Sequence, residues 1–353
     1  MSGDGFMIYG ATGYTGKLCA RAAKARGMTP LLSGRSAEKL KPLAEELGFE
    51  WKSVDIDDAA GLDAALAGIG TVLHIAGPFS HTSRQMLDAC IRNKAHYLDI
   101  TGEISVLEAA AARDAEAKAA GIMVMCGVGF DVVPSDCLAA HMKARMPDAT
   151  ELTLAIGGLE KASRGTTKSA MESVRTPVKM RRGGKIVAHW PPPRRSFDFG
   201  QGPRESIAVA WGDVATAYHS TAIPDITVYF EATPQFEQMS KLPGPVRWLL
   251  STGPLQAMLK KSVDRMPEGP TDAERAAGRG ILLGEAVNAR GERAVSRLTT
   301  PEGYTLTAMT GLEIVRRVQG GQAPAGFQTP SKVFGPDFIL DFDGCLRQDL
   351  NAA

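Results

Sequence analysis

Three glycines stand at intervals of three in the run Gly10-Ala11-Thr12-Gly13-Tyr14-Thr15-Gly16, between an apolar segment and a helix-forming one. A turn of this spacing lets a pyrophosphate approach the backbone N–H groups of residues such as Thr12, Gly13, Tyr14 and Thr15, and the helix start beyond it adds positive potential. The bland alternative is an ordinary glycine-rich turn. About 20 residues further on, where a site selective for NAD carries Asp or Glu for the ribose 2′-hydroxyl, this chain has Ser33-Gly34-Arg35, with Lys39 one helical turn later. An arginine fork grips a 2′-phosphate bidentately and stacks on adenine. The expected cofactor is therefore NADP(H), against the alternative of a solvated loop arginine.

Further candidates fall at the ends of later strands. Asp55 is placed to accept from the exocyclic amine of adenine and Ile56 to cover its edge; a helix N-cap at Asp55 or Asp57 competes with that reading. Ala76, Gly77 and Pro78 form a small-residue turn assigned to the ribose and nicotinamide, followed by Phe79 as a substrate contact, while His74 reads as a core residue. A proton donor is sought among Asp99, Glu103, Asp131, Asp136, Tyr218 and His219, and the catalytic assignment goes to Asp99, Glu103 and Asp136. Phe130, in the glycine turn before Pro134, is assigned to substrate. Helix capping by Asp131 or Ser135, and a dipole contact by Asp136, are the competing structural roles.

Several chemistries are disfavoured. None of the six tyrosines has Lys four residues later, as carbonyl reduction by a tyrosine–lysine pair requires, and G-x-S-x-G, H-E-x-x-H and Walker A patterns are missing. Five scattered cysteines form no C-x-x-C, so no metal is expected and the thiols read as reduced in a cytoplasmic protein. The start, Met1-Ser2-Gly3-Asp4-Gly5, lacks a leader pattern, and no apolar run approaches a membrane span.

A formal net charge of +1 over 353 residues argues against nucleic acid as a partner. The balance is uneven: residues 161–204 hold eleven Lys/Arg against two acids, a local +9 that leaves −8 elsewhere. Arg164, Lys168 and Arg175 fall on one helical face, and Arg164 and Lys168 are assigned to an anionic substrate, thioester- or carboxylate-bearing; a solvated face is the alternative. Residues 242–261, apolar with cationic ends, read as a lid, a dimer helix or a peripheral membrane contact.

The elements that must position these residues follow a βαβ rhythm. Candidate strands 6–9, 30–33, 50–54, 71–75, 96–100 and 122–126 alternate with helices 17–26, 37–47, 60–67, 83–93, 104–120 and 135–145. That predicts an α/β protein whose N-terminal domain is a doubly wound parallel sheet of the Rossmann kind. Beyond it, strands are expected at 152–156, 207–210, 226–230, 280–287 and 294–298, helices at 166–179, 246–261 and 304–318, and a last strand at 338–342. The expected divisions are 1–146 for cofactor, 147–319 for substrate and dimer contact, and 320–353 as a segment returning to the first domain.

Taken in order, the glycine turn, Ser33-Gly34-Arg35, Ala76-Gly77-Pro78-Phe79, Tyr97 to Glu103, Gly129 to Asp136, Ser163 to Thr166, Trp211 to Ala217 and Tyr304 to Ala308 resemble the saccharopine dehydrogenase-like oxidoreductases, in particular the stand-alone bacterial branch that includes mycobacterial trans-acting enoyl reductases. The resemblance implies an NADP-binding Rossmann domain, a second α/β domain with substrate and a homodimer contact, and hydride transfer to an imine or an activated double bond. It transfers no substrate.

Overall fold

The computed structural model describes residues 3–158, 163–165, 167, 177–232, 252, 255, 262–263 and 265–350. The first βαβ units form as their patterning dictates: β1 (Gly5–Tyr9), α1 (Tyr14–Ala25), β2 (Leu31–Gly34), α2 (Ala37–Leu47), β3 (Trp51–Ser53), α3 (Ala59–Ala65), β4 (Ile69–His74), α4 (Phe79–Asn93) and β5 (His96–Asp99). Then come α5 (Ile104–Ala111), α6 (Asp114–Ala120) and β6 (Met123–Met125). The strands pair in parallel in the order β3-β2-β1-β4-β5-β6. All six residues of β4 are buried, as in a parallel sheet covered on both faces. Strand order reverses between β1 and β4, which opens a crevice at their carboxyl ends.

The single helix expected over 104–120 is two helices. Arg113 stands at the break, its guanidinium donating to Asp88 of α4 at 2.6 Å and Glu116 at 2.7 Å. Asp114 and Glu116 in the first turn of α6 favour a new helix start there.

Helix α7 (Val133–Arg145) leads into a second, mixed sheet: β7 (Ala149–Gly157), β8 (Val178–Arg182), β9 (Lys185–His189), β10 (Arg194–Asp198), β11 (Pro203–Ala208) and, after α8 (Asp213–Thr221), β12 (Asp225–Glu231). Past α9 (Asp272–Ala277) follow β13 (Arg279–Asn288), β14 (Arg293–Pro301), α10 (Gly303–Gln319), β15 (Gly326–Gln328), α11 (Pro330–Phe334) and β16 (Leu346–Leu350). The order is β10-β11-β12-β7-β13-β14-β16, with β8 on β12 and β9 on β8. A Cβ at Gly284 of β13 would meet Met142 and Leu138 at 2.9 and 3.0 Å, so glycine there is what lets α7 lie close on this sheet. Helix α10 packs on α1 and β4 of the first sheet, and β15 adds a parallel seventh strand beside β6, whereas β16 pairs with β14 of the second. The C-terminal segment thus serves both sheets.

Two expectations are corrected. Val178 and Lys179, placed in a helix over 166–179, begin β8; the rest of that span lies almost wholly outside the described residues, as does 242–261 apart from residues 252 and 255. The run 338–342 is a 3-10 turn over Phe338–Asp341, and the final strand is β16. Phe334, Phe338 and Phe342 recur every four residues and meet ring to ring at 4.9 and 5.2 Å, a helical spacing in a run short enough to pass for a strand. Among the described residues no helix is long and apolar enough to cross a membrane, and no group of three His, Cys, Asp or Glu is placed to hold a metal.

Candidate functional site: a crevice between two sheets

The glycine turn fills the β1 side of the crevice. Gly10 has φ +91°, and a Cβ there would strike the Ala76 backbone nitrogen at 2.7 Å; one at Gly16 would lie 2.2 Å from the Gly10 carbonyl oxygen. These two positions require glycine because the turn is pressed against the end of β4 and against itself. Gly13 differs, since a Cβ there meets only the Gly10 oxygen, at 3.5 Å. Its open side leaves backbone accessible at the start of α1, which has no side-chain cap and no acid in its first turn. That is an uncommitted anion site. Gly10 and Ala11 both donate to the Ser33 carbonyl, at 2.8 and 3.2 Å, tying the turn to the end of β2.

Beyond β2, Arg35 is exposed and enters no hydrogen bond or ion pair among the described residues. The Asp55 carboxylate accepts from the Asp57 N–H at 3.0 Å, while Asp58 is the residue that caps α3. Ile56 is half-buried and packs at the core edge. Ala76 and Pro78 are half-buried and Gly77 exposed, at the end of β4. Turn, Arg35, Asp55 and the 76–78 loop therefore share one edge of the sheet, and the open Gly13 backbone with the uncapped α1 terminus fits a dinucleotide phosphate.

The three acids assigned to catalysis are each engaged elsewhere. Asp99 is fully buried, accepting from Tyr97 at 2.7 Å, Thr101 N–H at 2.9 Å and Gly127 N–H at 3.0 Å; burial raises its carboxyl against those bonds. Glu103 accepts from the N–H groups of Phe79 and Ser80 at 2.8 and 3.0 Å and so caps α4, which has no cap of its own. Asp136 accepts from Ser220 at 2.5 Å and Ser331 N–H at 2.8 Å. All three hold loops and helices in place.

Asp131 is different. It follows β6, lies against Gly102 beyond β5 at 3.3 to 3.5 Å from where a Cβ would be, and keeps some exposure to solvent. No hydrogen bond or ion pair among the described residues engages its carboxyl, and burial alone lifts it to about 7. Gly102, against which Asp131 lies, adjoins Glu103, and Glu103 holds Phe79. Nearby Asp213 is wholly buried and pushed up by the same cause. His74 is buried, bonded to Thr82 at 3.0 Å, and lowered to about 3, so it stays neutral.

Of the assigned substrate residues, Phe79 is half-buried and edge-on to His74. Phe130 is buried against Gly280 and Gly303, and its N–H donates to Thr307 at 3.0 Å. It is a wedge between the domains. Lys168 lies outside the described residues. Arg164 donates from its N–H to the Glu268 carbonyl at 3.1 Å and from Nε to the Met266 carbonyl at 2.5 Å. Those acceptors belong to a strap, 265–270, that lies over α1: Tyr14 donates to the Pro270 carbonyl at 2.5 Å, Arg275 donates to Tyr14 at 2.9 Å, and Lys17 pairs with Glu268 at 2.9 Å. Sequence reading missed this strap because its partners lie some 250 residues apart; only the Pro and Gly in Met266-Pro267-Glu268-Gly269-Pro270 mark it as an extended loop.

Known proteins bear on this arrangement. Residues 6–125, which run from β1 through β6 of the first sheet, match the family model described as the saccharopine dehydrogenase NADP binding domain. The trans-acting enoyl reductase of Mycobacterium leprae is 32% identical over 138 residues, covering 37% of this chain and 33% of that protein. That of Mycobacterium ulcerans is 26% identical over 185 residues, 48% of this chain and 44% of the other. The chain thus aligns with only a third to under half of the length of these relatives. Among solved structures, the saccharopine dehydrogenase (L-Glu forming) of Saccharomyces cerevisiae superposes over 99% of this chain and 100% of its own with a TM-score of 0.68 at 14% identity. The homospermidine synthase of Legionella pneumophila, solved with NAD, gives 0.58 at 11% identity over 96% and 88% of the two chains. These two likenesses establish a shared fold across both sheets.

Proposed function

We propose that the chain is an NADPH-dependent oxidoreductase of the saccharopine dehydrogenase-like type, reducing a C=C (enoyl) or C=N (imine) bond of a hydrophobic or anionic small molecule. The observation that carries this reading is the uncapped, glycine-lined start of α1 at the point where strand order reverses, with Asp131 on the same edge. When bound there, NADPH supplies a hydride.

The chain's own residues divide the remaining work. The backbone of Gly13 to Gly16 receives the pyrophosphate, Arg35 the 2′-phosphate, Asp55 and Ile56 the adenine, and Ala76, Gly77 and Pro78 the ribose and nicotinamide. Glu103 positions that last loop by capping α4. Asp131, protonated below about 7, delivers the proton from its carboxyl oxygen to the carbanion left by hydride transfer to a C=C bond, or to the imine nitrogen as its carbon accepts hydride, and returns to the acid form from water through its exposed side. We place the protein in the cytoplasm as a homodimer, with division 1–146 for cofactor, 147–319 for substrate and 320–353 bridging back.

The test is titration with NADPH, followed by loss of its near-ultraviolet absorbance across a panel of enoyl thioesters and cyclic imines. Tight binding with oxidation by one class supports the reading and names the bond. Binding without oxidation by any panel member would leave a cofactor-dependent sensor.

A further inference from the structure

Glu268 is an acid set among bases. Its carboxylate pairs with Lys17 in α1 at 2.9 Å. That bond, and then the charges of Arg164 and Lys39, hold its carboxyl below the usual range. Lys17 lies one residue past the glycine turn and Lys39 in the first turn of α2, one turn beyond Arg35. The starts of α1 and α2 are the two helix ends that face the phosphate-bearing half of a dinucleotide. Glu268 reaches the first of them through Lys17 and feels the charge of Lys39 at the second, from a strap held by Arg164 and Tyr14.

Resting on the NADP reading above, we propose that Glu268 is a specificity-determining gate: it occupies the basic mouth between α1 and α2 that receives the cofactor's 2′-phosphate, and is displaced when that phosphate enters. A phosphate of nearly two negative charges outbids one carboxylate for the same cations. The Lys17–Glu268 pair is about one-third and one-half exposed on its two sides, and such pairs are weak. It is therefore strong enough to keep the strap over an empty mouth and weak enough to exchange. Displacement turns Lys17 toward the phosphate and loosens the strap on Arg164, which links cofactor entry to the basic segment of the second domain.

The experiment measures affinity for NADPH and for NADH, by titration of the full chain at low and high salt, in the wild type and in Glu268→Gln. Removing the competing charge tightens NADPH by about three- to fivefold at low salt, leaves NADH within twofold, and loses its effect at high salt as screening takes over. Glu268→Lys, which adds a cation to the mouth, extends the gain in NADPH affinity. Two results overturn the gate while leaving the cofactor reading intact: NADPH binding to Glu268→Gln that is unchanged or weaker, or equal gains for both cofactors. A wild type that binds neither cofactor overturns the cofactor reading, and the gate with it.

Discussion

Asp131 and Asp99 are both carboxylic acids at the carboxyl edge of one sheet, and their difference lies in their neighbours. Three donors surround Asp99; none among the described residues reaches Asp131, whose carboxyl is lifted to about 7 by burial alone. A general acid works best with a pKa near the working pH. Asp131→Asn should therefore lower kcat by about 100-fold or more while leaving the affinity for NADPH unchanged, and the wild-type rate should fall as pH rises through about 7. The same shift predicts stability. Because the folded pKa exceeds the unfolded one, the folded state binds more protons between the two values, and stability declines as pH rises across that window. The decline in Tm across this window should shrink in Asp131→Asn. Arg35 makes a second residue-scale case: Arg35→Ala should weaken NADPH by tenfold or more, on the order of one charged hydrogen bond, and NADH little, as read by parallel titrations. Equal losses would remove the 2′-phosphate assignment.

At the scale of elements, Glu103 shows why a residue assigned to catalysis is better read as architecture. Its two oxygens cap α4 directly after the 76–78 loop. Glu103→Ala should cost about 1 to 2 kcal/mol in denaturant unfolding, as lost caps do, and should weaken NADPH through the displaced loop; Glu103→Gln, which keeps one acceptor, should recover most of the affinity. The sequence made the βαβ half legible because buried parallel strands are short continuous apolar runs, separated by helices with an apolar face. Strands β8 to β10 escaped notice because arginines and lysines are interleaved through them, one of them, Arg181, buried, so charge masked the alternation of Val178 and Met180. Which acid is free was not legible at all. The partners of Asp99 and Asp136 include Gly127, Ser220 and Ser331, set by folding and up to 195 residues distant. Glycine spacing, by contrast, is a local backbone demand, and Gly10 and Gly16 stand where it placed them.

Across the whole molecule, the +9 of residues 161–204 turns out to be spent partly on joining the domains. Arg181 of β8 is buried, with 4% of its surface exposed. It donates to the Val214 and Gly184 carbonyls at 2.8 Å each and to Glu108 of α5 at 2.6 Å, beneath the ring of Tyr218 at 4.1 Å. One guanidinium thus binds a helix of the first sheet to a strand and a helix of the second. Arg181→Met keeps the bulk but takes a donor from two carbonyls and leaves the Glu108 carboxylate only His219, so it should cost about 3 kcal/mol in equilibrium unfolding. The acid response gives a separate check. The Glu108 carboxyl is held below its usual range by the His219 ring, whose Nε2 lies 3.7 Å away, and by the Arg181 guanidinium. Its folded pKa is therefore lower than its unfolded one, its contribution is present above the unfolded value, and it is lost as pH falls through the folded one. Thermal melts followed from neutral pH down through about pH 4 should show the wild type losing more of its Tm than Arg181→Met, whose Glu108 keeps only His219. Parallel slopes for the two proteins would mean that the pair contributes nothing to acid stability, and that Arg181 joins the domains through its hydrogen bonds to the two carbonyls.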